Sequence, residues 1–324
     1  MHASKVVLGT LALALVAGCS SGGSAADDDR GGGKLKVVYV QGVTGNPFFT
    51  SVTCGAQAEA MAEGVDFSFQ GGKDYSPESQ TPVLSGVVAR KPDGIIISPM
   101  AGEAMVPPLT QAKDAGIKMV FVDSTAADSS LAASFVSSDN AAGGKLAADQ
   151  LGEMVGGAGK VMVMGATPGI STTDARQKGF EQEIKAKYPD ISLLQTQYSN
   201  STPSGATTKL SAVLSANQDL AGVFAVSTQE VEGVATAVKN ADADGKVKIV
   251  GFDTSDPILE EIKAGVVQGV VVQEPLEMGK EAMQQMVAEL KGKATKPVIN
   301  TPFVFLTKES MSDPDVSKYI YKSC

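Results

Sequence analysis

Residues 37–49 read VVYVQGVTGNPFF, an apolar run that leads into a glycine-containing loop and then into a helical pattern. Open α/β sheets place ligand-contacting groups in such loops, at the carboxyl ends of their strands. Asn46 and Pro47 also suit the N-cap and the first position of a helix, which would be a structural role. The stretch therefore predicts an α/β fold and leaves open whether Asn46 caps a helix or contacts a ligand.

Two adjacent aromatic residues, Phe48 and Phe49, follow in the same loop. The chain has 11 Phe, 6 Tyr and no Trp, so this pair uses a scarce residue type. On a helix the two rings point about 100° apart. We expect one ring to face the core with the stripe formed by Ala58 and Met61, and the other to point elsewhere.

Short apolar runs alternate with amphipathic stretches along the rest of the chain, which is the βαβ pattern of parallel sheets covered on both faces. The expected strands cover residues 36–41, 65–70, 94–98, 118–122, 134–137, 160–164, 191–197, 221–225, 246–252 and 268–272. The expected helices cover residues 48–63, 79–90, 103–115, 141–155, 173–187, 203–216, 229–240, 257–264 and 276–291.

The segments 117–125 and 247–255 read as one motif, because each is a buried strand that ends in an Asp and two hydroxyl residues. We therefore predict two similar α/β halves, with Asp123 and Asp253 at equivalent strand ends. Helix capping does not explain Asp253, since Asp256 is expected to cap the next helix. If the halves face each other, the two carboxylates line one cleft.

Arg176 is predicted in the first turn or so of a helix capped by one of residues 171–173, where the helix dipole disfavours a cation. An oxygen-rich ligand would explain its position, and so would an exposed ion pair with Asp174 or Glu181. Gln273 ends its strand at the same sheet edge. Its amide can both donate and accept hydrogen bonds, so it joins the candidate ligand contacts.

The composition argues against several classes of function. The formal net charge is −9 and no predicted element carries a cluster of Lys and Arg, so nucleic acid is not expected as a partner. The only histidine is His2, which excludes histidine-based acid–base or zinc chemistry from the folded part. With no Gly-rich phosphate fingerprint, we expect no enzyme, no cofactor and no metal site.

The first residues predict an exported, lipid-anchored protein. Lys5 precedes an apolar run at 6–17 that is too short to span a membrane, and small residues lead to Cys19. This pattern is similar to a bacterial lipoprotein signal. Residues 1–18 would be the signal peptide and Cys19 the lipidated residue on the outer face of the cytoplasmic membrane. Residues 19–33 would form a flexible tether.

Two other cysteines remain, Cys54 and Cys324. In an exported protein an even pair predicts a disulfide more readily than two free thiols. We expect a bond that ties the end of the chain to the first helix.

Six short motifs occur in order along nearly the whole mature chain. They are GNPFF at 45–49, FVD at 121–123, SDNAAGGKLAAD at 138–149, GISTTDARQKGF at 169–180, GFD at 251–253 and VVVQEP at 270–275. Together they resemble the ribose-type periplasmic sugar-binding proteins of bacterial ABC importers. The same fold occurs in the effector domains of lactose-repressor-type regulators, but here a lipoprotein signal stands where a DNA-binding headpiece would be.

The resemblance implies two Rossmann-like lobes with parallel sheets, joined by a three-segment hinge, that close on a monosaccharide or sugar alcohol. The N-terminal lobe would comprise residues 34–138 and 274–301, and the C-terminal lobe residues 139–273 and 302–324. We expect a monomer that delivers its ligand to ABC permease subunits. The alternative is a receptor that passes a sugar or autoinducer signal to a membrane partner.

The resemblance also implies roles for single residues. Phe48 and Phe49 would lie against the sugar ring, and polar residues would bind its hydroxyl groups: Asn46, Asp123, Arg176, Asp253 and Gln273. Three candidate positions depart from the ribose pattern. Ser124 replaces an arginine, and Ser227 replaces an asparagine. An aromatic residue is expected at approximately Ser201, and Tyr198 is the candidate substitute for it. These changes favour a larger sugar, another epimer or a sugar alcohol over ribose.

Overall fold

Two separate β-sheets dominate the structure, a computed structural model that describes residues 33–321 and 324. The strands are β1 (Lys36–Val43), β2 (Asp66–Gly72), β3 (Gly94–Ile97), β4 (Lys118–Val122), β5 (Phe135–Ser138), β6 (Ala158–Gly165), β7 (Asp190–Leu193), β8 (Gln197–Tyr198), β9 (Leu220–Ala225), β10 (Lys248–Phe252), β11 (Gly269–Gln273), β12 (Val298–Thr301) and β13 (Phe303–Thr307). The predicted signal peptide, Cys19 and all of the tether except residue 33 lie outside the described residues.

Helices cover the faces of both sheets. They are α1 (Pro47–Glu63), α2 (Pro77–Ala89), α3 (Val106–Asp114), α4 (Asn140–Met154), α5 (Ser171–Lys187), α6 (Pro203–Ala216), α7 (Thr228–Asn240), α8 (Asp256–Ala264), α9 (Pro275–Leu290) and the short α10 (Pro314–Ser317), with a 3₁₀ turn at Ser129–Leu131. Each helix in the described range is too short or too polar to span a lipid bilayer.

The two sheets share one topology. The first has the order β12-β5-β4-β3-β1-β2 and is parallel throughout. The second has the order β13-β11-β10-β9-β6-β7, with β8 also on β6 and β13 antiparallel. Strands β4 and β10 therefore occupy equivalent positions, which confirms the predicted pair of similar α/β halves. We call the first sheet with its helices the N-terminal lobe and the second the C-terminal lobe.

The chain passes between the lobes at three places. It leaves the first sheet after β5, returns after β11 through α9, which packs on α1, and leaves again between β12 and β13. Strands β12 and β13 were not predicted, because Pro302 separates two short runs that read together as a loop. The predicted strand at 191–197 is two pieces, β7 and β8, which both pair with β6.

Helix α1, which begins at the Asn46 loop, packs closely against α9. A Cβ at Gly55 or at Gly279 would lie 1.9 Å from a carbonyl oxygen of the opposite helix, so the two backbones touch. Small residues such as Ala56 therefore form the part of α1 that contacts α9. The prediction that Ala58 and Met61 face the core is wrong, because both side chains are exposed.

The structure contains the predicted disulfide between Cys54 and Cys324. Cys54 lies in α1, so the bond joins the end of the chain, which follows β13 in the C-terminal lobe, to the N-terminal lobe.

We predict that the denatured, unreduced Cys19→Ser protein contains no reactive thiol, since Cys54 and Cys324 are paired. Substituting both by Ser should lower the free energy of unfolding by about 2–5 kcal/mol, because the crosslink constrains the unfolded chain. Thiol titration and urea unfolding measure these effects. Reductant should destabilise the parent protein and leave the double variant unchanged. Two free thiols in the Cys19→Ser protein would contradict the prediction.

Candidate ligand-binding site

A cavity lies between the two lobes, where the carboxyl ends of their strands face each other. The space free of protein atoms there has a volume of about 460 Å³, which includes a part open to solvent. The lobes touch around it, since Gly102 N donates to Gly169 O at 3.0 Å and Thr125 N to Ser171 Oγ at 3.0 Å. The cavity brings together most of the predicted site residues: Asn46, Phe48, Phe49, Asp123, Arg176, Ser227 and Asp253.

Asn46 caps α1 as predicted and also lines the cavity, while its contact with a ligand stays a prediction. Its Oδ1 accepts from Phe48 N at 2.8 Å and so caps α1. Its Nδ2 donates to Tyr75 Oη at 2.9 Å and to Thr228 Oγ1 of the C-terminal lobe at 3.3 Å. Asn46 therefore positions the aromatic loop and also links the two lobes at the cavity.

Aromatic rings form the wall on the N-terminal side. Phe48 and Phe49 make an edge-to-face pair with centroids 5.3 Å apart, and Tyr75 lies 6.4 Å from Phe49. The prediction that only one Phe would be in the core is wrong. Both rings are buried and both line the cavity, because the first turn of α1 is covered by Met100 beside Phe49 and by Tyr321 beside Phe48.

Tyr75 is the aromatic residue that the sequence reasoning missed. It follows β2 and precedes α2, which is the same strand-to-helix position that singled out the Asn46 loop, so the signal was present. Tyr198, the predicted substitute, is 37% exposed, and its Oη accepts from Gln177 outside the cavity. Ser201 does line the cavity and shares a hydrogen bond with Thr167.

Asp123 and Asp253 occupy matching, unusual backbone conformations. Their φ angles are 66° and 70°, in the left-handed region that Asp tolerates better than most residues. Each donates its N–H to the neighbouring strand, Asp123 to Val136 O at 2.8 Å and Asp253 to Val271 O at 2.7 Å. Strained conformations of this kind concentrate at functional sites. The predicted equivalence of the two strand ends is confirmed, and both residues line the same cavity.

Neither carboxylate caps a helix. Ser255 caps α8 by accepting from Ile258 N at 3.4 Å, so the prediction that Asp256 does so is wrong by one residue. The reason is that the hydroxyl of Ser255 lies at the last extended residue before the helix turn. Asp253 remains without a capping role.

The Asp253 carboxylate is held by three donors. Gln273 Nε2 and the Tyr321 hydroxyl both donate to Oδ1, the first at 2.8 Å, and Arg176 Nη1 lies 3.3 Å from Oδ2. Gln273 is fully buried behind Asp253 instead of lining the cavity. In this structure Gln273 therefore positions Asp253.

Arg176 is 2% exposed and is fixed on several sides. Its Nε donates to Asn140 Oδ1 at 2.7 Å, its Nη1 to Val226 O at 3.0 Å, and its guanidinium lies 3.7 Å from the centroid of the Phe252 ring. The predicted cap among residues 171–173 and the exposed ion pair with Asp174 or Glu181 are wrong, whereas the ligand contact of Arg176 stays a prediction. Within the described chain, α5 begins after Ile170 without a side-chain cap, and Arg176 faces Asp253 because it lies on the inner face of α5.

Asp123 differs from Asp253 because its carboxylate forms no ion pair or hydrogen bond with the described residues. The residue is 5% exposed, and among residues 33–321 and 324 its carboxylate accepts no hydrogen bond. Burial raises the pKa of this carboxyl to about 7, although Arg176 partly offsets the effect of burial and Asp253 adds to it. Asp123 is therefore an unused acceptor at the cavity wall.

Hydroxyl groups form much of the wall on the C-terminal side, from Thr172, Thr173, Ser201, Ser227 and Thr228. Ser227 donates to the buried carboxylate of Glu230, which Ser199 also contacts. Burial raises the pKa of Glu230 to about 7. The described residues contain no group of three or more acidic, Cys or His side chains that could hold a metal ion.

Ser124 is the remaining predicted contact, and the structure places it behind the cavity wall. Its side chain is fully buried, and its Oγ has no hydrogen-bond partner in the described part of the chain. The peptide turn at Asp123 directs the carboxylate of that residue, and not the Ser124 hydroxyl, to the cavity.

Sugar-binding proteins of transport systems are similar to this chain in both sequence and structure. The ribose import binding protein of Bacillus subtilis is 26% identical over 264 residues, which cover 82% of this chain and 84% of that protein. An ABC transporter solute-binding protein from Agrobacterium vitis, bound to α-D-tagatopyranose, has a TM-score of 0.87 and 36% identity over 89% of this chain and 100% of that one. A carbohydrate transporter solute-binding protein from Agrobacterium radiobacter, in complex with D-arabinose, has a TM-score of 0.85 and 29% identity over 90% of this chain and 100% of that one.

A family profile described as "Periplasmic binding protein domain" matches residues 37–294, which include both halves of the cavity wall. Since this match spans well over half of the residues, the chain belongs to the periplasmic binding protein domain family.

Proposed function

We propose that this protein binds a monosaccharide or sugar alcohol in the interlobe cavity and delivers it to an ABC permease. The observation that carries the proposal is that aromatic rings on one lobe face Arg176, Asp253 and several hydroxyl groups on the other, with Asp123 beside the rings. A sugar has matching faces, because its C–H groups pack on aromatic rings while its hydroxyl groups both donate and accept hydrogen bonds. The sugar ligands of the similar structures support the same class.

The two carboxylates would bind the sugar differently. Asp123 has both oxygens available, so it can accept two sugar hydroxyl groups. Asp253 Oδ1 already accepts from Gln273 and Tyr321, which leaves Oδ2 for a single hydroxyl. Arg176 Nη2 is free of protein hydrogen bonds within the described residues and would donate to the ligand. Such charge-assisted bonds are about twice as strong as neutral ones.

Ligand capture would proceed by closure of the two lobes. The aromatic wall and Asp123 belong to one lobe, and Arg176 and Asp253 to the other, so a bound sugar bridges them and stabilises the closed arrangement. We propose the three chain crossings as the hinge, which divides the chain into lobes at 34–138 with 274–301 and at 139–273 with 302–324.

We propose that the mature protein is a monomer anchored through Cys19 after removal of residues 1–18. The pattern of Lys5, an apolar run and small residues before Cys19 supports this location.

We predict that Cys19→Ser releases the protein from the membrane fraction of a bacterium that processes lipoproteins, because the acylated thiol is lost. Ser20→Ala, a matched change at the next residue, should leave the protein in the membrane fraction. Fractionation and radiolabelled palmitate incorporation measure both outcomes. Membrane retention of the Cys19→Ser protein would contradict the anchor.

We predict that at least one of D-tagatose, D-arabinose, D-fucose, D-allose, D-ribose and the common sugar alcohols raises the melting temperature, since a ligand that binds the folded state stabilises it. Calorimetry should then give a saturable one-site isotherm.

Asp253→Asn should weaken the binding of that sugar by about 100-fold, because Arg176 loses its charged partner. Asp123→Asn should weaken it by about tenfold. Asp244→Asn, in an exposed turn, serves as the control. No response to any polyhydroxylated compound would contradict the proposal.

Sugar affinity should rise with pH around neutrality. In the empty cavity the pKa of Asp123 is raised from 3.8 to about 7, so the empty protein loses stability as pH rises between these values. Sugar hydroxyls donate to the ionised carboxylate, so binding releases a proton below about pH 7. Affinity should therefore increase by up to about tenfold from pH 6 to pH 8. Calorimetry in buffers of different ionisation enthalpy measures the number of protons released on binding. Asp123→Asn should abolish this release.

A further inference from the structure

The side chain of Tyr321 touches both lobes. Its ring lies edge-to-face against Phe48 of the N-terminal lobe, with centroids 5.8 Å apart. Its hydroxyl donates to Asp253 of the C-terminal lobe, and its N–H lies 3.5 Å from Thr254 Oγ1. Tyr321 also lines a groove between the Asn46 loop and the start of α8.

The chain around Tyr321 is attached to the two lobes at opposite ends. Before it, Tyr319 belongs to the buried core of the C-terminal lobe. After it, Cys324 is bonded to Cys54 in α1 of the N-terminal lobe. The disulfide is therefore a fourth covalent connection between the lobes, in addition to the three chain crossings. We call Tyr321 and Cys324 the C-terminal strap.

Tyr321 supports the ligand-facing carboxylate from behind. Its hydroxyl and the Gln273 amide both bind Asp253 Oδ1, which orients Oδ2 toward Arg176 and the cavity. Tyr321 is absent from the described lining of the cavity, so it does not take the place of a ligand. Burial and the nearby Asp253 raise the pKa of the Tyr321 hydroxyl well above its ordinary value, so it remains a donor.

We propose that the C-terminal strap is part of the binding machinery: Tyr321 positions Asp253 for the ligand, and the Cys54–Cys324 disulfide holds Tyr321 between the lobes and favours their closed arrangement before a ligand binds. The effect on affinity rests on the proposed sugar site. The effect on closure does not, and it can be measured without any sugar.

The first experiment compares Tyr321→Phe with Tyr319→Phe, the same change at a residue in the core of the C-terminal lobe. With D-tagatose, or the sugar of the panel that binds most tightly, Tyr321→Phe should weaken binding about tenfold, as expected for one hydrogen bond to a charged group. Tyr319→Phe should leave it unchanged. In an Asp253→Asn background Tyr321→Phe should have little further effect, because the two residues act through one contact. Unchanged or tighter binding by Tyr321→Phe would overturn the positioning role.

The second experiment uses small-angle X-ray scattering of the ligand-free protein. The double variant Cys54→Ser/Cys324→Ser should have a larger radius of gyration than the parent, because the strap no longer restrains opening. Tyr321→Phe keeps the disulfide, so its radius of gyration should lie between those of the parent and the double variant. If the double variant does not fold, the comparison of Tyr321→Phe with the parent still tests the proposal. Equal radii for the parent and both variants would overturn the role in closure, whatever the sugar titrations show.

Discussion

The structure depends on two buried carboxylates at one cavity and on a guanidinium that pairs with one of them. Asp123 and Asp253 both line the interlobe cavity, but Arg176 is hydrogen-bonded to Asp253. An isolated buried charge is costly, and burial raises the pKa of Asp123 to about 7, so that protonation of this carboxyl is favoured below about pH 7. A ligand with several hydroxyl groups would stabilise the ionised form by donating hydrogen bonds to it. The cavity therefore favours a neutral, hydroxyl-rich ligand.

The fold produces this arrangement by repetition. Each lobe places an Asp after an equivalent strand, in a left-handed conformation that is fixed by an N–H bond to the next strand. Parallel strands present such residues at one edge of the sheet, and the chain crossings set the two edges opposite each other. The asymmetry comes from the surroundings, because the aromatic rings come from one lobe and Arg176 with its hydroxyl neighbours from the other.

The sequence predicted the features that depend on local patterns. Apolar runs of strand length gave the order of the elements, and polar residues directly after those runs gave Asn46, Asp123 and Asp253. Arg176 was found because its place near a helix start conflicts with the helix dipole. Features that depend on distant parts of the chain were missed. Tyr321 reaches Asp253 only because the end of the chain returns to the cleft. Gln273 was predicted at this sheet edge, but its place behind the Asp253 carboxylate depends on the pairing of β11 with β10. The exposed Ala58 and Met61 show a similar limit, because the buried face of α1 is set by its contact with α9.

The most direct test is a crystal structure of the protein with the sugar that binds most tightly. Both Asp123 oxygens should accept ligand hydroxyl groups, Asp253 should accept one through Oδ2, and the C–H face of the ring should lie on Phe48 or Phe49. A ligand bound outside this cavity, or one that leaves the Asp123 carboxylate without a hydrogen bond, would contradict the central claim.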